Sequence, residues 1–393
     1  NIFSSVKSMT LSKTMSQRKT IRYPPNMGLS WLLLLLLLSE GECLVVPCRT
    51  PSSTTKSSSP LMAGDYDPSA LLYAEHEKLL ISRGELEGQI MTVPQPLPAN
   101  VVKGSGGSGG FGGGSKKSLV QEQAKAHAKV LREQGVVRID GVFSRELADS
   151  LRAQVYALRE ESELLIQQGK ISSKDRFADV LLTHNRRDMP LPIGPEWAAN
   201  ALANILLESP VGKTVETLLG KKALLREWSC LMSDPGSQRQ VAHPDTPWQE
   251  EPVLYTCFVA LQDITPDMGP TTWLPKTHTQ EMHQRFQDET TTSSSGQKSP
   301  KDQLLSTAPS VLGTLSKGSC AIFDSRLLHC GGANQSETSR ALMYCSFQNP
   351  KVVPGNPGSI RSNLIGKWTL QSLSEELELF RKKKPNQVVQ QST

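Results

Sequence analysis

Residues 104–115 read GSGGSGGFGGGS, and eight of these twelve are Gly. Ordering so many Gly costs backbone entropy that almost no side chain is present to offset. The segment reads as a flexible linker. The folded region therefore starts at about Lys116, and everything before it is an extension. Residues 1–60 carry seven Lys or Arg against Glu40 and Glu42, with one apolar run from Trp31 to Leu38. Eight residues cannot cross a hydrocarbon layer about 30 Å thick, so no stable membrane span is expected there. Basic residues ahead of a short Leu run have the form of a signal peptide, starting at Met9, Met15 or Met27, and the Ser/Thr-rich stretch 49–59 would extend it into a transit peptide. An organelle (plastid, mitochondrion or endomembrane) is favoured over the cytoplasm. Residues 61–103 form a short extension with one expected helix, 68–84, then an extended stretch with three Pro.

Beyond Lys116 the chain turns regular. Periodicity predicts an amphipathic helix over 119–134 stopped by Gly135, a strand over 136–139, and a helix from an N-cap at Ser144 to about residue 168. Glu146 in its first turn complements the positive end of the helix dipole. Helices are also expected over 197–207 and 211–219. After Lys222 come short β-like runs, 224–231, 253–261, 321–323 and 341–347. Helices first and strands later predict an α+β protein whose sheets close into a sandwich or barrel. The polar insert 287–303 reads as a surface loop. The expected layout is a catalytic domain over 116–360, then a C-terminal helix (369–381) and a disordered tail within 361–393.

Composition narrows the function. Hydrophobic residues make up 37% of the 393, enough for a sizeable core, and the formal charge of +5 is mild. Nucleic-acid binding is not called for, and the Gly-rich segment lacks the Lys-Ser/Thr of a phosphate loop. Seven Cys without a CxxC pair do not make a disulfide scaffold. Cys257 and Cys345 fall in strand patterns and read as core, whereas Cys320 and Cys330 are open to oxidation if exposed. Oligomeric state is not legible.

Seven His can be weighed singly. His76 and His127 sit in helical patterns and read as packing or solvent-facing residues, and His283 lies beside the polar insert. His184, next to Arg186 and Arg187, belongs either to a loop facing an anionic substrate or to a solvated basic turn. His243 differs because Asp245 lies two residues on. On an extended chain both side chains point to one side, so one imidazole and one carboxylate can reach one metal. His329 is the best third ligand, followed by Gly331 and Gly332 where backbone can approach closely. Two His and one carboxylate with open positions suit non-haem Fe(II). Eleven residues further, Arg340 opens the run RALMYCSF, whose alternation puts Arg340, Leu342, Tyr344 and Ser346 on one face. An Arg inside a β-core is costly unless it holds an anion, and its planar fork matches a carboxylate.

HPD at 243–245, MGPTTWLPKTHT at 268–279 and HCGGANQSETSRAL at 329–342 resemble the phytanoyl-CoA dioxygenase family. The resemblance spans roughly residues 119–350, and its specificity lies in the ordered combination rather than in any one part. It implies a double-stranded β-helix (jelly-roll, cupin-like) core with flanking N-terminal helices. It implies Fe(II) held by His243, Asp245 and His329, with 2-oxoglutarate and O₂ as co-substrates and Arg340 clamping the distal carboxylate. Gly331 and Phe258 match positions that contact the co-substrate, and a further basic or hydroxyl contact falls near Arg226 or Ser229. His278 closes the family's turn, with Lys276 where Gly is usual. Trp248 and Gln249 would line the access channel. The implied reaction hydroxylates an unactivated C–H bond of a small organic substrate and yields succinate. Asp245, absent at this position in related halogenases, favours hydroxylation over halogenation. A cupin-like metalloenzyme that does not use 2-oxoglutarate, a zinc hydrolase with the same ligands, or a non-catalytic binding protein on the same fold stay open as alternatives.

Overall fold

The structure, a computed structural model, describes residues 116–178, 180, 184–290, 298–352, 364 and 366–383. The targeting segment, the 61–103 extension, the linker and the tail after Lys383 lie outside the described residues. Helix α1 (Lys116–Gln134) stops where Gly135 takes φ +82°, a left-handed conformation that favours Gly. A Cβ there would also lie 2.6 Å from Leu327 Cδ1 and 2.8 Å from His278 Nδ1. Strand β1 (Val136–Ile139) follows, then α2 (Arg145–Gln167), capped as expected by Ser144, which accepts the Leu147 amide. Next come β2 (Arg186–Pro190), α3 (Glu196–Ala203, continued by a π turn over Asn204–Glu208) and α4 (Val211–Leu219).

The second half comprises β3 (Leu224–Ser233), β4 (Leu254–Ala260), β5 (Thr271–Trp273), α5 (Gln280–Gln287), α6 (Pro300–Thr307), β6 (Val311–Leu312), β7 (Cys320–Asp324), β8 (His329–Gly331), β9 (Arg340–Gln348) and α7 (Leu370–Lys383). All strand pairings are antiparallel. They build one six-stranded sheet, β1-β7-β4-β9-β3-β2, and one three-stranded sheet, β6-β5-β8. The α+β architecture expected from the sequence is present.

Alternation along the strands gives the larger sheet two different faces. Its outer face packs against α2, α3 and α4: Trp228 and Met232 of β3, and Met343 and Phe347 of β9, share one core with Leu151 and Leu202. Fully burying such a side chain contributes about 1.5–3 kcal/mol. Its inner face meets the small sheet, where Phe258, Phe323 and Tyr344 join Trp273 in a second core. Leu304 and Leu305 of α6 pack with Leu274 and Leu328 on the other side of the small sheet.

A bulge in β3 alters which side chains face inward. Leu225 pairs with Phe347, but Glu227 pairs with Ser346, so Arg226 is the extra residue. The bulge shifts the alternation by one. Leu225 and Trp228 thus both belong to the outer core, while Glu227 turns inward to meet Ser346.

Some expectations need correction. The insert 287–303 is not wholly loop, because Ser299 caps α6 by accepting the Asp302 amide. The 197–207 helix is α only to Ala203 before its π turn. Cys320 and Cys330, like Cys257 and Cys345, are buried. His127 is buried too, and burial pushes its imidazole down to about 4.

Candidate metal centre

Three side chains predicted from the sequence converge between the two sheets. His243 and His329 form an antiparallel bridge, and Asp245 hangs from the Ser325 carbonyl through its amide at 2.8 Å. Asp245 Oδ1 lies 3.9 Å from His243 Nε2 and 3.4 Å from His329 Nε2. One ligand atom from each of the three falls within 4.8 Å of the others. The Ser325 hydroxyl also meets Thr246 Oγ1 at 2.7 Å, fixing the turn that carries the carboxylate.

The imidazoles are presented in the form a metal requires. His243 Nδ1 lies 2.8 Å from the Val241 carbonyl, and His329 Nδ1 lies 2.9 Å from that of Leu327. A carbonyl only accepts, so each Nδ1 donates its proton there and Nε2 is the nitrogen left to face Asp245 and a metal. Burial, with the neighbouring His329, holds His243 down to about 4, so this ring is neutral at physiological pH. Burial pulls His329 the same way, but the charge and hydrogen bond of Asp245 raise it. Burial works to raise Asp245, yet the two imidazoles hold its carboxyl below the usual range. Two imidazole nitrogens and one carboxylate on a single facet form a donor set suited to Fe(II).

Arg340 lies wholly buried on the inner face of β9. It donates to the Gly269 carbonyl, and its Nη2 donates to Ser233 Oγ at 3.0 Å. Among the described residues no carboxylate pairs with it, and its Nε has no hydrogen-bond partner. Burial, with Arg186 nearby, pushes its guanidinium down to about 9. For Arg186, one of the two readings left open by the sequence is overturned. It is not a solvated turn but the first residue of β2, 1% exposed. Its Nε reaches Ser233 Oγ at 3.2 Å and its Nη2 reaches the Gln238 and Gly332 carbonyls. One hydroxyl thus joins two buried cations. The alternation Arg186-Asp188-Pro190 against Arg187-Met189 was the available signal.

Gly331 borders this basic end. A Cβ there would lie 2.6 Å from Gln240 Oε1 and 3.4 Å from Arg186 Nη2, so a side chain would press on Gln240 and on the Arg186 guanidinium. Phe258 faces inward edge-on to Tyr344 at 5.4 Å and lies 5.1 Å from Phe323. Phe323 in turn packs 5.0 Å from the His329 ring. Phe258 is therefore one ring removed from the histidine. Arg226, on the bulge, instead donates to Gln348 Oε1 at 2.8 Å.

The inner face also carries two acids. Asp188 Oδ2 accepts from the Tyr344 hydroxyl at 2.7 Å, and Glu227 accepts from Ser346. The charge of Arg186 acts on His243, and that of Asp245 acts on Glu227.

The remaining candidates are structural. His278 Nε2 donates to the Arg132 carbonyl at 3.1 Å, and the Lys276 amide donates to the Gln134 carbonyl at 2.9 Å. This turn therefore holds the end of α1, and Lys276 adopts φ +69° where the family has Gly. His283 Nε2 donates to the Arg326 carbonyl at 2.6 Å, while His184 is exposed. Gln249 offers its carbonyl to Arg326 at 2.6 Å, and Arg326 is itself paired with Asp324 at 2.7 Å, which ties down the chain after Asp245.

A sequence model described as phytanoyl-CoA dioxygenase (PhyH) matches residues 131–342, more than half of the chain. Among solved structures, the chain is similar to SnoN, a non-heme alpha ketoglutarate dependent epimerase from nogalamycin biosynthesis, at 16% identity. That match covers 58% of this chain and 84% of SnoN, with a TM-score of 0.42. It is similar at 17% identity to the carbocyclase SnoK from the same biosynthesis, over 61% and 94% of the two chains, TM-score 0.41. AviO1 from Streptomyces viridochromogenes Tue57 matches at 16% identity over 59% and 97%, TM-score 0.42. Among the described residues no helix is long and apolar enough to cross a membrane.

Proposed function

This chain belongs to the phytanoyl-CoA dioxygenase family, and from that premise we propose that it is an Fe(II)- and 2-oxoglutarate-dependent dioxygenase hydroxylating an unactivated C–H bond of a small organic substrate. The observation that carries the reading is the pairing of two features in one chamber. One is an N,N,O facet whose two imidazoles are each anchored through Nδ1 and offer Nε2. The other is a buried guanidinium with no acid beside it. A cupin-like metal site or a zinc hydrolase explains the first feature and leaves the second as an uncompensated cost.

When bound, Fe(II) supplies, with 2-oxoglutarate and O₂, the oxidising chemistry that releases succinate and CO₂ and leaves a hydroxyl on the substrate carbon. The protein's own residues do the rest. His243, Asp245 and His329 would hold the metal. Arg340 binds the distal carboxylate of the co-substrate through its planar fork. Arg186 shares Ser233 with Arg340 and adds a second positive charge at that end. Gly331 leaves room for the anion, and the Phe258–Phe323–Tyr344 wall keeps the chamber dry. Succinate formation from 2-oxoglutarate by the full chain, dependent on added Fe(II) and lost in Asp245→Ala, tests the reading. Iron-independent turnover or full activity in that variant overturns it.

A further inference from the structure

The oxygenase reading uses the two arginines of the chamber and leaves its two acids without a task. Asp188 and Glu227 occupy neighbouring strands, β2 and β3, on the inner face. Asp188 is 7% exposed; its Oδ2 accepts from Tyr344, while its Oδ1 is buried with no hydrogen-bond partner. Glu227 accepts from Ser346 with one oxygen and retains partial exposure within the chamber. It faces inward in the regular alternation of β3 that also turns Ser229 and Ser233 inward, and the bulge at Arg226 lies directly beside it.

Among the described residues neither acid is in an ion pair. Arg226, whose charge favours the ionised form of Glu227, donates its hydrogen bond to Gln348 instead. Arg186 and Arg340 are engaged around Ser233. Burial pushes Glu227 up to about 8 and Asp188 up to about 7, with the negative charges of Asp188 and Asp245 adding to the rise at Glu227. Each acid is costly to ionise until a positive group arrives.

We propose that Asp188 and Glu227, braced by Tyr344 and Ser346, form a substrate subsite that takes a protonated amine. This subsite rests on the oxygenase reading for its role, since it would hold an ammonium-bearing substrate within the chamber that carries the triad. A substrate nitrogen could donate to both carboxylates at once, and the ion pairs would form in a water-poor chamber where they are strong.

The test uses butylammonium and butanol as matched probes. They are titrated into the full-length, metal-free protein and followed by ligand line broadening in NMR. The proposal predicts at least tenfold tighter binding of butylammonium. In Glu227→Gln and Asp188→Asn, which keep the hydrogen bonds to Ser346 and Tyr344, the preference should fall to within about twofold. Equal binding of the two probes, or a preference unchanged in both variants, overturns it. Mn(II) uptake and 2-oxoglutarate binding, measured on the same samples, report separately on the oxygenase reading. If they fail while the ammonium preference stands, the subsite survives and the oxygenase reading falls. If they succeed without the preference, only the subsite is lost.

Discussion

His243 and His329 are joined backbone to backbone, each amide donating to the other's carbonyl at 2.9 and 3.0 Å. Their ring centroids lie 4.6 Å apart. The two ligands furthest apart in sequence are thus fixed by sheet-like pairing rather than by side-chain rotamers. The third, Asp245, depends on Ser325 for its position.

Ser325→Ala should therefore weaken metal binding without removing a ligand. Losing such an outer support typically costs 10–100-fold in affinity, and roughly tenfold is expected here because the Ser325 carbonyl remains. Fe(II) or Mn(II) titration would show it. Unchanged affinity would mean that the turn holds itself.

Arg340→Met should raise the 2-oxoglutarate requirement by at least tenfold, since a hydrogen bond to a charged group is worth about 1.5–3 kcal/mol. Arg186→Gln should do so more weakly. Metal uptake should be unchanged in both. A 2-oxoglutarate dependence unaltered in Arg340→Met would remove it as the clamp.

A pH dependence of stability follows from Glu227. Its folded value of about 8 lies above the unfolded carboxyl range. The stability from the neutral form is therefore present at low pH and lost as pH rises toward 8. Glu227→Gln should match the ligand-free parent near pH 4–5 and exceed it in melting temperature at pH 9. Parallel melting curves across that interval would place the carboxyl in water instead.

Lys276 holds φ +69°, a conformation costing an L-residue about 1–2 kcal/mol. Lys276→Gly should stabilise the fold by about 1 kcal/mol in denaturant unfolding, after the entropy that Gly itself costs, while Lys276→Ala should not. Equal effects would show that the turn carries no strain.

The local code made much of this site legible. HPD, the following His and the alternation from Arg340 identified the triad and the inner face of β9 before any fold was in view. What escaped reading has physical causes. β2 spells RRDMP, which looks like a wet turn until a polar chamber gives its charges a buried place. Strands β5 and β8 are three residues each, too short for a periodic signal. The bulge at Arg226, which puts Leu225 and Trp228 on one face, depends on pairing with β9 and leaves no mark in one strand's own sequence.

The most direct measurement is anaerobic addition of Fe(II) and 2-oxoglutarate to the full-length protein, alongside Arg340→Met and Asp245→Ala. The oxygenase account predicts a weak visible charge-transfer band in the parent. It also predicts a band that needs far more 2-oxoglutarate in Arg340→Met, and none in Asp245→Ala. An iron-loaded parent without the band at saturating 2-oxoglutarate would contradict the account.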